Sequence, residues 1–258
     1  MVKGIKGKVL GEFHGIKGEI IEHQVRGTSA NAFILYLPEA RGVLSSPQGF
    51  KKVRVVCNCY VPESLWQFLH AQPRNWKTYL KELFNQLNLP LDKAAVLSTG
   101  VNMEDLAWAE EAFEELWALA FVTAGIQSNA MRIGKDKASS TERNGLFETI
   151  GTINIILLTS ASLDSAALSA SFITITEAKN IALQELDIRS SYNSDWQATG
   201  TGTDQIITVS GRGHRCTYVG GHSKIGELMA QAVTSATISA IKRRLKFSDQ
   251  IIKGVLND

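Results

Sequence analysis

Cysteine is scarce: only Cys57, Cys59 and Cys216 occur in 258 residues. An odd number, with no continuous apolar stretch in the opening MVKGIKGKVLGEFHG, argues against a disulfide framework and against a secretory leader. Cys57-x-Cys59 lies in VRVVCNCYV, where a period of two puts both side chains on one strand face. Without a zinc-type Cys/His pattern around them, they read as buried free thiols. Long hydrophobic runs are also missing. The longest, Ile153 to Leu158, is interrupted by Asn154, and none approaches the ~18–20 residues of a membrane span. An excess of one charge is absent too: 27 basic against 25 acidic residues leave a net +2. That balance carries neither a nucleic-acid footprint nor a trap for acidic substrates. The one basic cluster, Lys242, Arg243, Arg244 and Lys246, falls where a helix is expected to end and where cations suit its dipole. These absences predict a soluble cytoplasmic protein with no nucleic-acid or membrane partner.

Familiar catalytic signatures are missing as well. The histidines are His14, His23, His70, His214 and His222; none forms HExxH or pairs with a carboxylate at helical spacing, so no metal site is expected. Gly125 to Ser128 has the wrong spacing for a G-x-S-x-G elbow, GGHSKIG is not a Walker A loop, and GTGTD is not GxGxxG.

What is present is a regular alternation of patterns. GEIIEHQV, NAFILYL and KKVRVVCNCYV predict strands in the first 60 residues. Residues 63–88 turn helical, with Pro73 dividing two helices and Pro90 following the second. Ala94 to Leu97 is expected as a short buried strand, MEDLAWAEEAFEE as a helix with acidic residues at its start, and LWALAFVTAG as a returning strand. Two strands then end in comparable turns, Ser98-Thr99-Gly100 and Thr123-Ala124-Gly125, places where α/β proteins tend to put function. GKDKASSTERNGLF (134–147) reads as a flexible loop or lid. TINIILLT is the strongest strand. A long helix over Asp164 to Leu186, a glycine turn feeding a strand in ATGTGTDQIITVSG, and a helix from Lys224 to about Lys246 complete the chain. Trp66, Trp76 and Trp108 fall on apolar helix faces and read as core. The fold class is α/β: one mixed domain over 1–258, with a strand-rich portion (1–90) ahead of a core (94–245).

Four segments in order, VTAGIQSNAMRIG, GTINIILLTSASLDSAAL, TEAKNIALQELDIRS with the later ATGTGTD, and YVGGHSKIGELMAQAV, resemble the core of the adenosylcobinamide amidohydrolase (CbiZ-type) family. The resemblance implies hydrolysis of the amide between an aminopropanol arm and a corrin ring, giving adenosylcobyric acid and 1-aminopropan-2-ol in corrinoid salvage. It implies a corrinoid substrate and no protein-bound cofactor, since the cobalt belongs to the substrate; a homo-oligomer stays open. Gly151-Thr152 opening TINIILLT, followed by a helix and a Gly-Thr-Gly turn, is also similar to self-cleaving aminopeptidases and ornithine acetyltransferases. That second likeness implies a four-layer αββα sandwich. It leaves two rivals: a self-processing Thr-type enzyme, marked by a chain cut before Thr152, and a corrinoid binder without turnover.

Amide hydrolysis needs a nucleophile, an acid or base, and a group to hold the oxyanion. Thr152, a hydroxyl just after a glycine, is the candidate protein nucleophile, or else a β-branched residue that merely starts a strand. Asn154 shares its strand face and either holds a substrate amide or oxyanion or bonds nearby backbone. Thr199, Gly200, Thr201, Gly202, Thr203 and Asp204 offer N–H groups, hydroxyls and close backbone approach to a bulky ligand. His222, before the last helix, is the candidate acid/base. Glu227 joins it as a catalytic carboxylate or as a helix-dipole partner, and Lys224 as an oxyanion partner or a solvated cation. Glu177 is a second acid/base or a buried partner for Lys224. Asn102, Ser128 and Asn129 suit substrate hydrogen bonds or plain turns, and Trp196 suits packing against the corrin or adenosyl face.

Overall fold

The computed structural model describes residues 2–138 and 152–255, with side chains omitted at His70 and beyond Lys246. In chain order the elements are β1 (Val2–Phe13), β2 (Ile16–Val25), β3 (Thr28–Ser45), β4 (Gly49–Tyr60), α1 (Glu63–His70), α2 (Pro73–Gln86), β5 (Ala94–Thr99), β6 (Ala107–Phe113), β7 (Leu116–Ala124), β8 (Ala130–Met131), β9 (Ile153–Thr159), β10 (Ser162–Leu163), α3 (Ser165–Glu185), β11 (Gly200–Thr201), β12 (Gln205–Val209), β13 (Arg215–Cys216) and α4 (Lys224–Val255). Most of the segment 134–147 and Gly151 lie outside the described residues.

Strand β3 organises the architecture. Along Thr28–Tyr36 it pairs with β2, while its last residues, Val43–Ser45, pair with β12. β4 pairs with it in both stretches and continues to β5 in parallel. One sheet, β1-β2-β3-β12-β9-β7-β6 with β4 and β5 attached, therefore divides at β3 into two halves. Three apolar clusters show how the halves stack. Ala32, Ile34, Cys57 and Val96 pack with Leu83 and Phe84 of α2. Phe33, Leu35 and Leu97 meet Leu119, Phe121, Ile156 and Ile207 between the halves. Ala118, Ala120, Ile155 and Leu157 pack under Ile175 of α3 and Ala232 and Ala236 of α4. Alternate residues of one strand thus serve two cores, as a pleat of period two requires. The layers run α1/α2, sheet half, sheet half, α3/α4: a mixed α/β fold in the αββα order.

Local chemistry fits most boundaries. Pro73 occupies the first turn of α2, where its missing N–H costs nothing. The Asp164 carboxylate accepts from Ala167 N at 3.0 Å and caps α3. Cys57 and Cys59 are buried free thiols, Sγ to Sγ 3.4 Å, on one face of β4. No described helix is long and apolar enough to cross a membrane.

Three expectations are corrected. MEDLAWAEEAFEE is a 3-10 turn (Met103–Asp105) followed by strand β6, not a helix. Full pairing with β7, from Ala107 opposite Val122 to Phe113 opposite Leu116, overrides the helix propensity of its Ala and Glu residues. Trp108 is accordingly on a strand and 37% exposed rather than core. Finally, α4 continues past the basic cluster to Val255. Arg243 and Arg244 are not helix-end cations: they reach back to Leu106 O (2.7 Å) and Asp105 (3.1 Å), tying α4 to the 3-10 turn.

His23 is buried in the α1/α2-side core, Nε2 3.0 Å from the Tyr79 hydroxyl and Nδ1 3.4 Å from Ile21 O. Burial holds its pKa below the usual histidine value, outweighing the backbone contact to Ile21. The unfolded chain therefore takes up a proton that the folded chain resists. Stability should be fully present above about pH 6.5 and decline as pH falls below it. We expect urea midpoints to drop between pH 7.5 and pH 5.5, and His23→Gln to show a visibly smaller drop; equal drops in both proteins would contradict the assignment.

Candidate active site

At the end of the sandwich where β5 and β7 finish, polar side chains are buried in otherwise apolar surroundings. Asn154 of β9 points into the space between the sheet halves. Its Nδ2 donates to Asn58 Oδ1 on β4 (2.8 Å) and to Ser98 O on β5 (2.9 Å), while its Oδ1 faces the Thr152 hydroxyl (3.1 Å). Asn58 Nδ2 donates onward to Thr123 Oγ1 of β7 (3.1 Å). Both amide hydrogens and the carbonyl of Asn154 are thus engaged, so it positions Thr152 rather than presenting a free donor. The Thr152 hydroxyl lies 2.6 Å from Thr203 O. Its one hydrogen goes to that carbonyl or to Asn154, and its lone pairs have no described donor. The neighbouring Gly125 N donates to Thr152 O at 3.0 Å, and a Cβ on Gly125 would stand 3.0 Å from Val101.

The 199–204 turn is built around Asp204. Oδ1 accepts from Ile153 N (3.0 Å), Thr201 N (3.1 Å) and Thr201 Oγ1 (2.5 Å), and Oδ2 pairs with Lys179 Nζ. Lys179 comes from α3 and is 5% exposed. A Cβ at Gly200 would meet the Lys179 amine and the Asp204 carboxylate, so a larger residue there would displace the ion pair. β11 pairs with β8, bringing Gly200 and Thr201 opposite Met131 and Ala130, and Gly202 lies against the Asn129 amide. Asn129 is buried and accepts from the Tyr192 hydroxyl at 3.1 Å. Thr199 Oγ1 accepts from Ile133 N. Tyr192 is exposed and Trp196 half-buried, with the Lys135 amine 5.4 Å from the Trp196 ring centroid.

Thr152, Asn154, Asn129 and the whole 199–204 turn therefore come together, with exposed Ser128 beside them. Asn102 stands nearby but is committed: its Oδ1 caps the 3-10 turn at Glu104 N and accepts from Asn31. His222, Lys224 and Glu227 do not join this group, which corrects the expectation of one cleft. The Lys224 amine lies 4.9 Å from the Phe113 ring centroid at the β6–β7 hairpin. That hairpin is the far end of β7 from Ala124, eight residues or roughly 25 Å away at the rise of a strand. His222 is exposed there, and Lys224 pairs with Glu227 at 2.7 Å. Glu177 is likewise exposed on α3 and is no partner for Lys224. The helix buries Lys179 instead, two positions and about 200° further round. Lys179, Asn58 and Tyr192 are the members of the site that sequence reasoning missed, while Thr123 belongs to a strand-end turn it singled out without giving the residue a role. An Asn in the apolar run VRVVCNCYV carried the same signal as Asn154 and was available. Among the described residues no three His, Cys, Asp or Glu side chains are grouped to hold a metal.

The fold and this buried hydroxyl–carboxamide centre define a mixed α/β protein with a polar site between two sheet halves. The model of the adenosylcobinamide amidohydrolase family matches residues 16–249. The chain belongs to that family. It is 42% identical to an uncharacterized protein, MJ1613, of Methanocaldococcus jannaschii over 226 residues, 83% of this chain and 86% of the relative. It is 34% identical to the adenosylcobinamide amidohydrolase of Methanosarcina mazei over 159 residues, 62% of each chain. Among solved structures, the PH0078 protein of Pyrococcus horikoshii OT3 aligns with TM-score 0.43 at 12% identity, over 94% of this chain and 84% of that one.

Removing one partner of a buried ion pair strands the other charge, at a cost of about 3–5 kcal/mol. Lys179→Met should lower unfolding stability by that amount, and adding Asp204→Asn should recover part of it. A loss under ~1 kcal/mol in the single variant, measured by urea denaturation, would mean that the pair does not hold the turn.

Proposed function

We propose that this chain hydrolyses the amide joining the aminopropanol arm to the corrin ring of adenosylcobinamide, releasing 1-aminopropan-2-ol and leaving adenosylcobyric acid, in corrinoid salvage. The observation that carries the reading is the family match across residues 16–249. One water is consumed: its oxygen ends on the ring-side carboxylate and a proton on the departing amine.

We place the reacting amide at Thr152. The hydroxyl has lone pairs with no donor among the described residues and is held by Asn154 and Thr203 O, at the mouth of a turn rich in N–H groups and hydroxyls. Whether Thr152 Oγ attacks or holds the attacking water, it must stay where those bonds put it. Among the described residues, Lys179 and Asp204 are titratable groups tied to this network, through Asp204 to Ile153 N. The exposed rim of Ile133 and Tyr192, with Trp196 beside it, supplies apolar surface suited to a corrin edge. The roles first given to His222, Glu227, Lys224 and Glu177 at the reacting amide lose support from this placement.

Purified protein incubated with adenosylcobinamide should release free aminopropanol; none released would overturn the reading. Thr152→Val keeps shape but removes the hydroxyl, and should lower kcat about 100-fold or more, whereas His222→Ala should stay within a few-fold of wild type. The reverse ranking would move the reaction to the start of α4.

A further inference from the structure

At the opposite end of the sandwich, beyond the C-terminal ends of the parallel pair β9 and β12, an open cavity of about 360 Å³ is lined by Arg41, Gly42, Ser162, Ser210, Gly211 and Arg212 among others. The pairing of β3 with β4 shifts register between Tyr36 and Arg41, around Pro38. Such a bulge re-aims a side chain, and here Arg41 lines the cavity wall. Its Nε is buried with no hydrogen-bond partner among the described residues. Glu39, the neighbouring carboxylate, pairs instead with Arg212 Nε. Two guanidiniums against one carboxylate leave net positive charge on the wall. The next ion pair out, Arg215 with Asp164, is neutral in sum. Burial pushes the Arg41 pKa down, with Arg212 adding to the effect and Glu39 opposing it. An arginine stays charged under such conditions, so Arg41 is a half-buried cation whose nearby carboxylate, Glu39, is shared with Arg212 and whose Nε has no acceptor among the described residues.

The remaining wall suits a small oxyanion. Ser162 is half-buried and its hydroxyl has no partner among the described residues, while Ser210 Oγ is occupied by Leu163 N at 2.8 Å. Gly211 is packed against the backbone of Thr159 and Ser160, which keeps that side free of a side chain. Forked guanidinium donors and a hydroxyl arriving from three separate segments, β3, the bend after β12 and β10, match the several acceptor oxygens of a tetrahedral group better than a planar carboxylate. The crevice past the carboxyl ends of parallel strands is also where α/β sheets commonly bind ligands. Thr152 lies at the other end of β9, roughly 20 Å away at the rise of a strand.

We propose that the Arg41–Arg212 cavity is a second ligand site that takes the phosphate group of a small phosphorylated molecule. The proposal does not rest on the amidohydrolase reading. Calorimetric titration of the full chain with inorganic phosphate, at constant ionic strength in chloride, tests it. One phosphate should bind per chain. Arg41→Gln should weaken binding at least 10-fold with unchanged melting temperature in the absence of phosphate, and Arg215→Gln should leave it within two-fold. If Arg41→Gln does not fold, Arg212→Gln, on a 62% exposed side chain, should give the same weakening. No binding by the wild type, or wild-type affinity in the variants, would overturn the proposal. So would acetate binding in place of phosphate with the same arginine dependence.

Discussion

An asparagine cannot sit in the apolar middle of a β-sandwich unless its donors and its acceptor all find partners, because each one left bare costs a desolvation penalty of about 1–3 kcal/mol. Asn154 is placed that way, and meeting its demands links parts of the chain that are far apart in sequence. Asn58 and Ser98 come from one sheet half, Asn154 and Thr123 from the other. The relative position of the halves is therefore set by directional bonds in addition to the Phe33–Phe121–Ile156 packing between them. Apolar packing tolerates sliding; the amide ladder does not. The Thr152 hydroxyl inherits its position from the same ladder.

That constraint acts at one end of the sandwich only. The charged and glycine-rich residues that follow β9 and β12 gather at the other end, with Arg41, Arg212 and the start of α3. The start of α4, with Lys224 near Phe113, lies toward that end as well. A single strand such as β9 thus connects two chemically different environments. One is dominated by hydroxyls and amides with a buried Lys179–Asp204 pair, the other by guanidinium groups and turns.

Much of this was legible in the sequence because period and punctuation are local properties. The apolar runs GEIIEHQV, KKVRVVCNCYV and TINIILLT, Pro73 between two helices, and the long pattern over Asp164 to Leu186 marked strands and helices close to their observed bounds, whereas β3 runs well beyond NAFILYL at both ends. The 199–204 turn was found because its threonines and aspartate exceeded what a plain turn needs. What failed depended on tertiary pairing. MEDLAWAEEAFEE contains good helix formers, and only β7 beside it makes it a strand. Glu177 and Lys179 are two residues apart, and nothing local says which one the helix turns inward; the carboxylate of Asp204, 25 residues on, decides it. His222 was grouped with Thr152 by chemistry alone. Which end of a sheet a helix start reaches is a matter of topology, and the sequence pattern carries no distance across 70 residues.

The central claim is that the corrinoid engages the Thr152 end of the sandwich. Hydrogen–deuterium exchange of the whole chain, with and without adenosylcobyric acid, tests it most directly because it reads both ends at once and requires no turnover. Slowed exchange in the segments around Gly125–Met131 and Thr199–Gln205, with no change over Gly211–Glu227, is the expected result. Protection confined to Gly211–Glu227 would contradict the account and put the corrinoid at the start of α4.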